Sequence, residues 1–261
     1  MHMADALLTP AVAGVMYAAS AVVAGASIVE LHKEEKQDLT SAAKKLPTMA
    51  VMSALVFAGQ MINYTIPGTG SSGHLCGGLL LTSVLGPWAG FLSMIVILTI
   101  QCLFFADGGL MALGANVWNM AFYGCFVGYF LIYRPLMRSH CFARRGERAA
   151  NRLKITLASV LGCVLTLQLG AFSVVLETTL SGITDLPFGA FCAIMQPIHL
   201  AIGLIEGLIT AAVLLFLYEA RPELLRDVCT GGETAGKVSF KGTIAVIALA
   251  AVLVGGGLSL L

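Results

Sequence analysis

The residues best equipped to do chemistry stand at the very start of the chain. They are Met1 and His2, with His74 as the histidine able to join them. A free α-amine followed directly by histidine is a chelator in its own right. The amine, the His2 amide nitrogen (once it gives up its proton) and His2 Nδ1 close one five-membered and one six-membered ring around a single metal ion. Those nitrogens lie in a plane and leave a fourth corner open. Such a set suits Ni(II) or Cu(II) and can draw in Co(II), whereas the tetrahedral preference of zinc fits it poorly. Met1 is expected to stay in place, because a large second residue usually blocks removal of the initiator. The competing reading is that Met-His is an accident of the start or an expression scar.

His74 lies in Pro67-Gly-Thr-Gly-Ser-Ser-Gly-His74-Leu-Cys76-Gly-Gly78, whose glycines let a backbone bend tightly and approach a ligand. It is either the fourth nitrogen or an ordinary turn residue. Cys76, two residues on, is a soft ligand or a small packing residue. Asp107 and Asn116 bracket a second Gly-rich loop, and Asn119 follows one turn later. They can hold the amino-terminal arm or hydrogen-bond the far nitrogen of a ligating imidazole; alternatively Asn116 caps the helix that follows. Gln196, His199, Gly203 and Glu206 fall on one helix face. A polar stripe in an apolar helix faces the bundle interior, as a second metal station or as a clamp between helices.

The elements that must position these groups are membrane helices. Of 261 residues, 58% are hydrophobic and 11% charged, and the mean hydropathy is +0.90. Soluble domains carry about 25% charged residues. A net charge of +1 argues against nucleic acid as a partner. The seven cysteines include no Cys-x-x-Cys pair and read as packing residues. No cleavable signal peptide is expected, since the first residues lack a basic stretch. Apolar runs cover roughly 10–31, 48–66, 75–91, 92–106, 115–133, 154–176, 188–218 and 242–260. The third and fourth are short and separated at Gly86-Pro87, and the seventh exceeds one span and is expected to bend at Pro197. The fold expected is therefore an all-α polytopic membrane helical bundle of seven transmembrane helices, with an eighth at the C-terminus. Residues 1–218 form its core domain, 219–241 a linker and 242–261 the extra segment.

All 15 Lys and Arg residues lie in Lys33–Lys45, Arg134–Lys154 and Arg221–Lys241, after the first, fifth and seventh spans. An alternating path puts these stretches on one side, and the positive-inside rule makes that side the cytoplasm. The amino terminus then faces out from the cell (inner) membrane. The outer segments hold Asp5, Asp107, Glu177 and Asp185, a mildly acidic approach for a cation or ordinary loop chemistry. Thr9 and Pro10 start the first helix, so the apolar arm 1–8 is expected to fold back into the mouth of the bundle. Gly14, Ala18, Ala21 and Gly25 permit close helix contact in the first span. No His-Glu-x-x-His motif is present. The stretch Gly231 to Val238 nearly spells a phosphate loop, but valine stands where magnesium needs Ser or Thr. No ATP site is expected in this chain.

The opening Met1-His2-Met-Ala-Asp5-Ala-Leu-Leu-Thr-Pro10 resembles the start of the CbiM/NikM family, the cobalt/nickel substrate-binding components of energy-coupling-factor ABC transporters. Gly73-His74-Leu-Cys-Gly-Gly-Leu-Leu, Leu85-Gly-Pro-Trp88-Ala, the stretch Gln101 to Ala121 with its Asp107-Gly-Gly, Asn116 and Asn119, and His199-Leu-Ala-Ile-Gly-Leu-Ile-Glu206-Gly look like its signature blocks. The similarity spans residues 1 to about 218. It implies a seven-helix binder whose transported substrate is Co(II) or Ni(II), held by the Met1 amine, the His2 amide and imidazole, and His74. It also implies partners: a transmembrane coupling subunit, two cytoplasmic ATPases and in some systems a further small membrane subunit. Cys76 stands where the family would have an aliphatic residue, which leaves a thiolate contribution open. The segment 242–260 lies beyond the family core, as an extension or a fused piece of the small subunit. The rival from another class is an intramembrane metal-dependent enzyme using His199 and Glu206.

Overall fold

The computed structural model describes residues 1–228 apart from 38, 140–141 and 143–145, and no side chain between 37 and 44. The expected eighth span, the phosphate-loop-like stretch and most of the linker lie outside the described residues. The helices are α1 (Pro10–Gln37), α2 (Leu39–Gln60), α3 (Gly78–Leu85), α4 (Pro87–Phe105), α5 (Leu113–Arg138), α6 (Glu147–Ser181) and α7 (Phe188–Ala220). Five of them, α1, α4, α5, α6 and α7, are long and apolar enough to cross a membrane. The architecture is an all-α membrane bundle with one small β-hairpin, β1 (Asn63–Ile66) antiparallel to β2 (Ser71–His74).

One boundary differs from the expectation, and the break between the third and fourth runs falls at Gly86-Pro87 as expected. The second apolar run, taken to residue 66, stops being helical at Gln60, and its tail is β1. Asn63, Tyr64 and Thr65 have two branched or aromatic side chains among them and a glycine-rich turn behind them, which suits a pleated strand better than a helix end. The third and fourth runs divide at Gly86-Pro87, so the eight-residue α3 is a buried half-helix and α4 carries the full crossing. Proline is suited to the first turn of a helix, where its missing N–H costs nothing. Pro197 leaves α7 continuous from Phe188 to Ala220, because neighbouring groups can take up the freed carbonyl in a packed membrane helix.

Glycines set how closely the helices approach. A Cβ on Gly207 would stand 2.6 Å from the Val160 Cα of α6, and one on Gly203 2.9 Å from the Val164 Cα. The α6/α7 pair therefore packs backbone against backbone. Gly78 and Gly124 do the same where α3 crosses α5. From Val117 to Tyr133, α5 is wound with the wider i→i+5 hydrogen bonds, a rare form. Trp118 and Phe122 stack on it with ring centroids 4.0 Å apart.

The two ends of the bundle differ in character. At one end Asp227, beyond α7, accepts hydrogen bonds from Tyr129 and from Arg138 Nε (2.7 Å). Arg226 N–H donates to Ser83 O at 2.8 Å, docking residues 225–228 on α3. Thus the first described residues of the expected linker are packed against the bundle. The other end gathers the arm 1–8, the hairpin and the loop before α5.

Candidate metal centre

The arm does not lie loosely in the mouth. Residues 1–3 run antiparallel beside β2 as a short third strand, with Met3 bridged to Ser71. Ser72 N–H donates to His2 O at 3.2 Å, and the Met1 ammonium donates to Ser72 O. The other edge of the arm is held by the loop before α5. Asn116 Oδ1 accepts the Met3 N–H (2.8 Å) while its Nδ2 donates to Met3 O (3.2 Å), and Gly109 N–H donates to the same carbonyl at 2.8 Å. Asp5 Oδ1 accepts the Ala112 N–H at 3.0 Å. Because α5 begins at Leu113 and Asn116 makes no cap bond, Asn116 is an arm-holder and not a helix cap. Met1, His2 and Met3 are all buried.

This pairing brings His2 to His74. Their rings stack with centroids 4.4 Å apart and planes 29° from parallel. His74 Nδ1 lies 2.7 Å from Leu75 O, which makes it the protonated nitrogen and leaves Nε2 a bare lone pair. His74 Nε2 and both nitrogens of His2 are buried without a hydrogen bond of good geometry, although Gln101 lies near enough to His2 to favour its protonated form slightly. Buried nitrogens left unpaired are costly. His2 Nδ1 is 3.3 Å from Asp107 Oδ1, outside hydrogen-bond geometry. Asn63 Nδ2 orients Asp107 by donating to its Oδ2 at 2.7 Å. Gly108, at φ +86°, lets the backbone pass where a Cβ would stand 3.0 Å from His2 Cδ2. The His2 amide nitrogen makes no hydrogen bond among the described residues.

Burial shifts the protonation of this cluster toward neutral donors. It pushes the terminal amine down to about 5, against the opposing charges of Cys76 and Asp107. It pushes His2 down to about 3, helped by the neighbouring ammonium. The His74 imidazole is held well below its ordinary value by burial first, then by the ammonium, His2 and His199. Burial also raises the Asp107 carboxyl, against the Asn63 hydrogen bond. Among the described residues no three His, Cys, Asp or Glu side chains could hold a metal by themselves. A centre here needs backbone nitrogens as well.

The remaining sequence candidates surround this cluster without joining its donors. Glu206 of α7 accepts the N–H groups of Cys76 (2.6 Å) and Gly77 (2.9 Å), tying α7 to the loop that carries His74. Both of its oxygens are thereby engaged. Cys76 is a buried free thiol. His199 Nδ1 is 2.8 Å from Met195 O, leaving its buried Nε2 unpartnered. Gln196 exchanges amide-to-carbonyl bonds with Gln168 of α6 (3.3 and 2.9 Å). Asn119 donates to Glu177 Oε2 at 2.8 Å and sits 3.7 Å from Met3 Sδ. Glu177, expected in an outer segment, is instead buried inside α6, which runs on to Ser181. A carboxylate with an amide donor opposite can be held inside the bundle.

Two residues that escaped the sequence reading complete the surround. Gln60 Nε2 donates to Cys76 O, and Gln101 Nε2 donates to Gln60 Oε1 at 2.9 Å. Both glutamines are fully buried. The signal was present, since each is an isolated amide in an apolar run that must find a partner.

A multi-pass bundle that buries its terminal amine beside two stacked imidazoles fits a class: membrane proteins that handle a small cation. The comparisons carry it further. The family described as the cobalt uptake substrate-specific transmembrane region, CbiM, matches residues 2–224, and the chain belongs to that family. A protein of Archaeoglobus fulgidus named as a fused nickel transport protein, NikMN, is 40% identical over 235 residues, covering 90% of this chain and 71% of the relative. The cobalt transport protein CbiM of Sorangium cellulosum is 33% identical over 181 residues, covering 69% of this chain and 76% of the relative. The crystal structure of a truncated transition metal transporter superposes with a TM-score of 0.69 at 31% identity, covering 84% of this chain and 99% of that one. The protein is thus a multi-pass membrane component of cobalt-type metal uptake, a transport protein.

Proposed function

We propose that this protein is the substrate-specific component of an energy-coupling-factor importer, capturing Co(II) or Ni(II) from outside the cell. The Met1 amine, the His2 amide and imidazole, and His74 supply the four nitrogens. The observation that carries this reading is the pairing of residues 1–3 along β2, in which the amine donates to Ser72 O and His2 stacks on His74, with three of the four ring nitrogens lacking a hydrogen bond. The depressed basicity of the amine and imidazoles supports it, because metal competes with few protons at neutral pH. With the rings stacked, coordination in one plane requires one imidazole to turn about its side-chain torsions. Asp107, 3.3 Å from His2 Nδ1, receives the incoming cation.

Inward release is driven by two partner ATPases through a transmembrane coupling subunit, with the basic end of the bundle in the cytoplasm. The smooth face of α1 supports such a partner. Ala11, Gly14, Ala18, Ala21 and Gly25 are exposed on it, and nothing lies within 4 Å of a Cβ built on Gly14 or Gly25. The metal serves cobalamin or nickel-enzyme synthesis.

The test is calorimetry and visible absorption of the purified chain with Ni(II) and Co(II). One ion per chain, with the absorption of an in-plane nitrogen set, is expected. His74→Ala, and a glycine inserted before Met1, each abolish it. Undiminished binding by either variant refutes the site.

A further inference from the structure

In the ligand set above, Met1 contributes only a backbone nitrogen. Its side chain is nevertheless among the most deeply buried in the protein, 1% exposed. It lies against α6 at Gly170. A Cβ on Gly170 would stand 2.6 Å from Met1 Sδ and 3.1 Å from Met1 Cε, and closer still to the Asn119 carbonyl oxygen of α5. The thioether therefore fills a slot between α5 and α6 that exists because residue 170 has no side chain. On the opposite side the Met1 amine donates to Ser72 O of β2. Residue 1 is gripped from both sides, whereas the first residues of most chains fray unless something ties them down.

We propose that the slot at Gly170 is a recognition site for the side chain of residue 1. Gly170 is then a positioning residue for metal capture, and Met1 sets the depth at which the terminal amine meets His2 and His74. The proposal rests on the amine being a ligand, and adds a demand that chelation alone does not make. Truncating the Met1 side chain leaves the amine, the amide and both imidazoles intact, so a simple chelate binds metal equally well. A slot that registers the amine does not allow this, because a chelate free to shift no longer holds its open fourth corner at His74.

The experiment uses the full chain with a removable leader cut directly before residue 1 in detergent, giving the native chain, Met1→Leu or Met1→Ala. Ni(II) affinity is read by calorimetry and the ligand field by visible absorption. Met1→Leu is expected within a few-fold of native, roughly as for other volume-conserving swaps. Met1→Ala is expected to lose about thirtyfold or more, the lower end of buried Met-to-Ala truncations, with a shifted absorption band. Gly170→Ala is expected to lose as much with native Met1 and to regain part of it when combined with Met1→Ala. Equal affinity and spectra for the native and Met1→Ala chains overturn the proposal. That outcome is distinct from failure of the four-nitrogen reading, which shows as binding by the uncut, leader-blocked chain or none by the cut native chain, and overturns both. If Gly170→Ala cannot fold against the Asn119 carbonyl, the residue 1 series still decides.

Discussion

The two ends of this bundle bury polar groups under opposite rules. At the basic end, Asp227 draws Arg138 and Tyr129 to itself, with Arg134 Nε 3.8 Å away, so its carboxylate is answered by three side chains of α5. At the other end, His2 and His74 sit equally deep with three ring nitrogens unanswered. Burying a donor or acceptor without a partner costs about 1–3 kcal/mol, so the second arrangement persists only because its neighbours enforce it. Asn116, Gly109 and Ser72 hold the backbone of the arm, and Glu206 holds that of the His74 loop. The backbone carries the structure at this end and leaves the side-chain nitrogens free for a ligand. A knot of paired charges stabilises; a set of held, unpaired lone pairs waits for a cation.

Breaking the hold at the amino-terminal end should therefore cost binding, and breaking the knot should cost stability. The largest effect is expected from His74→Ala or an amino-terminal glycine, with affinity for Ni(II) or Co(II) falling by about a thousandfold or beyond detection in calorimetry, as befits loss of a ligand and not of its support. Asn116→Ala removes both side-chain bonds to Met3 while sparing every donor nitrogen. It should weaken affinity by about 10–100-fold, the range for residues that orient ligands, with little change in helical content by circular dichroism.

Acid sharpens the contrast. With the amine pushed down to about 5 and His2 to about 3, neither carries a proton at neutral pH. Only the His2 amide then releases one on binding, so affinity should fall about tenfold per pH unit as pH drops from 8 to 5. Below 5 the amine is protonated as well, and the slope should steepen to about a hundredfold per unit. A steepening that instead begins near 8, the ordinary value for an amine, would mean the arm is undocked in the free protein. The sign for docking is the same: a group whose proton affinity drops on burial favours the docked state above pH 8 and progressively less down to 5.

The smallest effect on binding belongs to the knot. Asp227→Asn should leave the metal Kd unchanged within error while lowering stability by about 1–3 kcal/mol, the cost of weakening hydrogen bonds to charged groups, seen as a lower Tm. A matching drop in affinity would show that the two ends are coupled through α3, whose far end Arg226 grips.

Much of this was legible in the residues. Composition and apolar runs are local properties, so they reveal a membrane bundle; Lys and Arg confined to three stretches reveal that the basic loops share one end. Met1-His2 and His74 were nameable from coordination chemistry and from the signature blocks. Partner choice is not a local property. Nothing in Ser71-Ser72 announces a strand that pairs with residues 1–3, and nothing in Asn116 tells an arm-holder from a helix cap. Glu177 read as an outer carboxylate until Asn119, 58 positions away, was found opposite it. Gly170 was one small residue among 29 glycines. The sequence by itself determined the solvent, the sidedness of charge and the inventory of donors, because each follows from residue type and short-range order. Only the tertiary structure decided which donors meet and which stay unpaired, because that depends on how closely distant backbones can approach.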